Sequence, residues 1–417
     1  MVSLSRLLVP QERVALSAST FSTFFLPAFV LYFAMGVLVQ RKRTAMIRVA
    51  LLPVTLLCAC RAGSSLDFSF GIPNYRYLNH GLALAMFTLS MRSTAWAFAK
   101  KPYKRNTLQP NKASNSDTLS SSTNDQLTND TPLSTALWNA WDLSVNLRGI
   151  GWDWSQGLRI PNSNHGKKST LEFLLSALAK LLFYALAFDA TSGAARELSL
   201  GTSGSVEGGT IFDASLSPLS RYTQSAVITI LSGFTAYFVI ELVYQIHTIE
   251  FVLLFRQVPS QWPPLFDAPW LSTSLASLWG HKWHQLFREC FISVGARPLS
   301  YLLGRTGGVI GAFLISGALH YFGLKAMERG GHPVVVFGFF IMQAIGLILE
   351  GMWKRCTGVR VNGCLGLLWT WVWVVFWASF MVDAWVRVGL VGSKFFPDDY
   401  RPTVLLAHFL KRYLNLL

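Results

Sequence analysis

Eight mostly apolar runs set the terms for any fold of this 417-residue chain: Phe21 to Val39, Met46 to Cys60, Leu78 to Phe98, Leu171 to Asp189, Ala226 to Phe255, Gly307 to Met327, Val334 to Glu350 and Leu365 to Val386. A helix that crosses a bilayer needs about 20 such residues. Inside hydrocarbon every backbone N–H and C=O must find a partner within the protein, so only helices and closed barrels cross it. Runs of this length point to helices. A weaker stretch, Thr403 to Leu417, is either a ninth span or a helix lying in the interface. The expected architecture is all-α: a polytopic integral membrane helix bundle of eight or nine spans.

The side-chain balance agrees. Only 14% of the residues are charged and 52% are hydrophobic, against roughly 25% charged in soluble domains. The formal charge of +15 is scattered between apolar runs, which argues against nucleic acid and for a positive-inside orientation. Arg41-Lys-Arg43, the cluster Lys100 to Arg105, and Lys354-Arg355 with Arg360 all fall on one face when the spans alternate. That face is cytoplasmic, the N-terminus is luminal, and the segment Leu271 to Arg305 is expected on the cytoplasmic side as an amphipathic interfacial helix. The first apolar run is long enough to stay as an anchor rather than act as a cleaved signal. Asn106 to Thr131 is rich in Ser, Thr, Asn and Asp and reads as a disordered linker. The sequon at Asn129 within it lies on the cytoplasmic side and should be unused, and Leu200 to Gly209 reads as a luminal loop. Cys58, Cys60, Cys290, Cys356 and Cys364 have neither zinc nor redox spacing.

The chemistry-bearing residues are few. His320 sits inside the sixth apolar run, where a titratable side chain is costly and marks a functional site by default. Ser316 and Gly317 lie one turn before it, small enough for close helix packing or for a substrate tunnel. Upstream lies Trp279-Gly-His-Lys-Trp283-His284-Gln285, with Arg288 beyond it. On one helix Trp279 and Trp283 would share a face, as would His284 and Arg288. That segment is a plain interfacial anchor or the polar lip of an active site. A metal site on His281, His284 and His320 is disfavoured by the missing carboxylates. Ser203 lacks the surroundings of a hydrolase nucleophile. Glu241 and His247 in the fifth run line a cavity or bridge helices, and Asp189 and Asp383 sit near span ends, where snorkelling accounts for them.

The box Leu278-Trp279-Gly280-His281-Lys282-Trp283-His284-Gln285 is followed about 30 residues later by Ser316-Gly317-Ala318-Leu319-His320. This pair resembles the membrane-bound O-acyltransferase superfamily in its wax-synthase branch. Arg148-Gly-Ile-Gly-Trp152 resembles the fungal members, which include acetyltransferases of terpenoid and mycotoxin pathways. Leu278 stands where the family has Phe, and His281 where it has Arg. The resemblance implies acyl transfer from acyl-CoA, acetyl-CoA for preference, to the hydroxyl of an apolar terpenoid or polyketide-type secondary metabolite, without a permanently bound cofactor or metal. His320 would be the general base and His284 the second catalytic residue. Trp279, Trp283, Gln285, Ser316 and Gly317 would line the site, a tunnel within the bundle, and Lys282, Arg288 and Arg297 would meet the CoA phosphates. The acceptor would enter from the bilayer, in the endoplasmic reticulum. Long-chain wax-ester synthesis is the near alternative, and a non-enzymatic transporter the distant one. On this reading residues 1–99 are N-terminal transmembrane helices, 100–135 the polar cytoplasmic linker, 136–390 the acyltransferase core and 391–417 a C-terminal membrane-associated segment.

Overall fold

A computed structural model describes residues 13–106, 131–155, 157–161, 169–199, 204–327 and 332–414. The sequon at Asn129 and most of the expected linker lie outside them. The described chain is helical apart from a two-residue parallel pairing of β1 (Val14–Ala15) with β2 (Leu66–Asp67). Ten helices carry the fold: α1 (Ala18–Leu38), α2 (Ala45–Ser65), α3 (Tyr77–Ala97), α4 (Leu133–Val145), α5 (Thr170–Glu197), α6 (Pro218–Leu254), α7 (Arg297–Lys325), α8 (Pro333–Thr357), α9 (Gly363–Arg387) and α10 (Pro402–Leu414).

Seven helices among the described residues are long and apolar enough to cross a membrane: α1, α2, α5, α6, α7 with the turns before it, α8 and α9. The third run does form a helix, α3, but Asn79, His80 and Arg92 leave it outside that set. Among the described residues α10 has 13 residues, short of the roughly 20 that a span needs. Helix starts follow local chemistry. Ser169 and Glu172 form a capping box at α5, and Ser217 caps α6 ahead of Pro218.

The first three helices pack on one another around a core that includes Tyr32 stacked on Trp96 at 4.7 Å. Buried arginines are neutralised there by helix C-termini, where backbone carbonyls carry partial negative charge. Arg48 donates to the carbonyls of Trp96 and Ala99 at the end of α3, and Arg92 to those of Leu143 and Asn146 at the end of α4.

Two segments enter the bundle without crossing it. Helix α4 runs back along α1. Ala136 near its start accepts from Gln40 at 3.0 Å, and Ser144 near its end accepts from Tyr32, halfway along α1, at 3.1 Å. The second segment corrects the expected interfacial helix over Leu271 to Arg305. Gly304, with φ of 60°, breaks the chain between two helical arms that fold back on each other. Gly295 meets Gly311, and Gly307 meets Leu299, backbone to backbone, so no Cβ fits at Gly295, Gly307 or Gly311. The first arm therefore descends beside the second, Arg305 to Lys325, and Cys290 packs in one buried cluster with Leu319 and Met91. Burial within protein is what permits irregular backbone at this depth.

Two acidic residues also differ from the expectation of snorkelling. Asp189 is buried and tied to Arg401 at 2.9 Å and to Thr403, fastening α10 to α5. Asp383 is buried and accepts from Thr210 at 2.6 Å, from the Ile211 backbone at 2.9 Å and from Arg387 at 2.7 Å. Neither set of distant partners is visible in local sequence.

Candidate active site

A cavity of about 1710 Å³ occupies the bundle, well beyond the usual few hundred Å³ of a ligand pocket. Its wall draws on helices from both sides of the linker, including Tyr32 of α1, Leu84 of α3, Ile240 of α6, Ser316 and His320 of α7, Phe340 of α8 and Val375 of α9. The lining is overwhelmingly apolar, and the few polar groups are therefore conspicuous.

His320 enters from α7 and stacks on Phe340 of α8 at 5.0 Å and 20°. Ser316, one turn earlier, shares the cavity wall. Gly317 does not line it. A Cβ there would stand 3.0 Å from the Phe337 ring, so this glycine permits α7 and α8 to pack closely.

The upstream box is not the continuous helix that its spacing suggested. A single helical turn, Leu275–Ser277, passes into a π-turn, Leu278–Lys282, and Trp283 is extended with ψ of 154°. Side chains from elsewhere hold this shape. Buried Glu350 of α8 accepts from the backbone N–H groups of Leu275 at 2.6 Å and Ala276 at 3.0 Å, and from Trp369 at 3.0 Å. Trp279 donates to Gln343 at 3.2 Å. Gln285 donates to the Gly280 carbonyl at 2.8 Å, closing the π-turn, and accepts from Arg159 N–H at 3.3 Å. The result brings Trp279, Trp283, His284 and Gln285 into the same cavity as His320.

His284 is ringed by aromatic side chains: Phe266 at 5.5 Å and perpendicular, Trp283 at 5.6 Å and Phe287 at 5.9 Å. Burial pushes its imidazole down to about 4, and the nearby Arg148 charge adds to this. The ring is thus neutral at physiological pH, able to donate from one nitrogen and accept at the other.

The expected phosphate contacts divide. Arg288 and Arg297 line the cavity, as does Arg305, and Arg297 pairs with Glu289 at 3.0 Å. Lys282 is absent from the cavity wall, with its ammonium 3.4 Å from the Leu271 carbonyl. The box leaves its helical course at Trp283, which separates Lys282 from the residues that follow. His281 is exposed and outside the cavity wall, so the histidine trio weighed as a metal site is not assembled. His247 lines the cavity and pairs with Glu250 at 3.1 Å. Glu241 turns instead to Gln245 at 3.3 Å, in a separate small cavity of about 100 Å³.

Two residues escaped sequence reasoning. His80 of α3 packs against Gly323, one turn beyond His320. Its only signal was to be, like His247 and His320, a histidine inside an apolar run. The other is Arg148, whose motif was visible but whose partners were not.

The comparisons with known proteins fall on this geometry. Residues 262–342 match the Membrane bound O-acyl transferase family, a stretch that holds the box, the glycine-packed hairpin and His320. The chain is similar to Acetyltransferase aurG of Calcarisporium arbuscula, 30% identical over 41% of this chain and 44% of that protein. Acetyltransferase ple2 of Rhodocybe pseudopiperita is 27% identical over 57% of this chain and 63% of its own length. A long-chain-alcohol O-fatty-acyltransferase of Simmondsia chinensis is 26% identical over 24% of this chain and 30% of its own length. The matched region thus spans less than two thirds of each of these relatives. The resemblance drawn from the two boxes is borne out, and the chain is an all-α polytopic membrane protein with wax-synthase-like and acetyltransferase relatives.

Proposed function

We propose that this protein is a membrane O-acyltransferase that moves an acyl group, acetyl for preference, from acyl-CoA to the hydroxyl of an apolar terpenoid or polyketide-type metabolite. The observation that carries the reading is the convergence of His320 and the box residues Trp279, Trp283, His284 and Gln285 on one apolar cavity. His320 takes the proton from the acceptor hydroxyl as the oxygen attacks the thioester carbonyl. The C–O bond forms, the C–S bond breaks, and the departing thiolate takes the proton back from the imidazolium. Neutral His284 orients the acyl carbonyl by hydrogen bonding. Arg288 and Arg297 hold the CoA phosphates, and Arg305 is a further cation on the same cavity wall, where Lys282 is not. No permanent cofactor is required. The acceptor partitions from the bilayer, and the endoplasmic reticulum is the expected membrane.

Long-chain wax-ester synthesis is a second reading, supported by the Simmondsia chinensis relative and by a cavity roomy enough for a fatty chain. One experiment separates the two. Microsomes containing the protein are offered labelled acetyl-CoA or palmitoyl-CoA with a panel of terpenoid, sterol and fatty alcohols. Acetyl ester on a polycyclic alcohol supports the first reading, and palmitoyl ester on a fatty alcohol the second. No ester with any pair, from folded protein, counts against both.

A further inference from the structure

Arg148 ties the end of α4 to α6 and to the loop that follows it. It follows the end of α4, is buried, and lines the cavity. Its Nη1 donates to the Pro264 carbonyl at 2.8 Å, and its Nη2 to the Pro263 carbonyl at 2.7 Å and to the Tyr244 hydroxyl at 2.6 Å. Tyr244, on α6, lies under the guanidinium at 5.3 Å and itself donates to the Pro263 carbonyl at 2.6 Å. No hydrogen-bond acceptor in this set is a carboxylate. A planar guanidinium suits two successive carbonyls in a way that an ammonium does not. The two prolines have no N–H, so their carbonyls are the handles by which the backbone can be held there. Two residues beyond Pro264, the buried Phe266 ring packs edge-on against Trp283 at 5.0 Å and His284 at 5.5 Å.

We propose that Arg148 is a positioning residue for acyl transfer: it clasps Pro263 and Pro264, so that Phe266 fixes His284 in the cavity wall. The role rests on the acyltransferase reading of the same site. It requires Arg148 to act through Phe266, and that coupling is measurable.

The test compares kcat and the KM for acyl-CoA in Arg148→Ala, Phe266→Ala, the double variant and Arg148→Lys. A misplacement of about 1 Å near the reacting atoms costs on the order of 100-fold in rate. Each alanine variant should lose about that much in kcat with KM unchanged, and the double variant should be no worse than the poorer single one, because coupled sites are non-additive. Arg148→Lys should stay impaired, and added guanidinium ion should restore part of the Arg148→Ala rate. Tyr244→Phe, which keeps the fork, is the milder variant should Arg148→Ala fold poorly, and should still lower kcat. Hydrogen exchange across residues 263–285 should rise in Arg148→Ala, a readout that needs no turnover. Unchanged kcat, additive losses or unchanged exchange would overturn the clasp. Raised exchange in a protein that makes no ester would leave the clasp standing and remove the acyltransferase reading.

Discussion

The N-terminal bundle and the stretch from Gln257 to Gly304 are built by opposite means. Helices α2 and α3 have 21 residues each and bond their backbones mostly within the helix, apart from Pro53 inside α2 and the end of α3 that Arg48 holds. The second stretch has two short α-turns, two 3-10 turns, two π-turns, an extended Trp283 and the first arm of the hairpin, and leans on Gln285 within it and on Glu350 and Arg148 from other parts of the fold. The first region is a scaffold that hydropathy largely specifies, with the more polar α3 packed into it. The second bears most of the polar groups of the proposed site, and tertiary partners specify it. Its shape should accordingly be fragile where the scaffold is tolerant.

The largest expected effect is at the glycines of the hairpin. Gly311→Leu places a side chain into the backbone at Gly295, whereas nothing lies within 4 Å of a Cβ at Gly233 in α6. Overpacking costs about 1–3 kcal/mol and sometimes more, so Gly311→Leu should sharply lower the yield of monodisperse protein while Gly233→Leu melts like wild type. Equal melting temperatures would mean that the close packing of Gly311 on Gly295 is no more fragile than the open site at Gly233. Next comes Glu350→Ala, which strands the buried N–H of Leu275 and the part-buried donors of Ala276 and Trp369. An unsatisfied buried donor costs about 1–3 kcal/mol, and a thermal shift assay in detergent should show destabilisation, accompanied by loss of turnover.

A smaller effect is tied to pH. Because the folded His284 pKa is depressed to about 4 from 6.5, the unfolded chain binds more protons between those values. The His284 contribution to stability is intact above pH about 6.5 and is lost progressively as pH falls towards 4. His284→Asn should flatten the acid-side decline in melting temperature between these limits. An unchanged slope would mean that His284 is already accessible to protons in the fold. The smallest effect separates two cations of one segment. Arg297→Ala should raise the KM for acyl-CoA several-fold, as loss of a charge-assisted bond of about 1.5 kcal/mol would, and Lys282→Ala should leave it unchanged. The reverse order would return Lys282 to the site.

The same contrast explains what could be read from sequence. Apolar run length announced the spans, since the bilayer imposes it on every crossing helix. His320 was legible because a lone imidazole in such a run has no cheap explanation. The course of the box was not. Three- and four-residue spacing suggested a helix through Trp279 and Trp283, but the carboxylate that shapes its first turn is Glu350, 75 residues away. Asp189 and Asp383 were misread for the same reason: Arg401 lies 212 residues from the first, and Thr210 173 residues from the second. Gly317 and Ser316 are neighbours in sequence yet serve packing and cavity respectively, a difference set by which face of α7 meets Phe337.

The most direct measurement is single-turnover ester formation by wild type and His320→Ala, with both proteins shown to be folded by size-exclusion profile and melting temperature. A general base contributes roughly 10²–10⁴-fold. The expected result is loss of turnover within that range or beyond it, with folding and membrane insertion intact. Ester formation at the wild-type rate by folded His320→Ala would contradict the assignment of His320 as the base at the centre of this cavity.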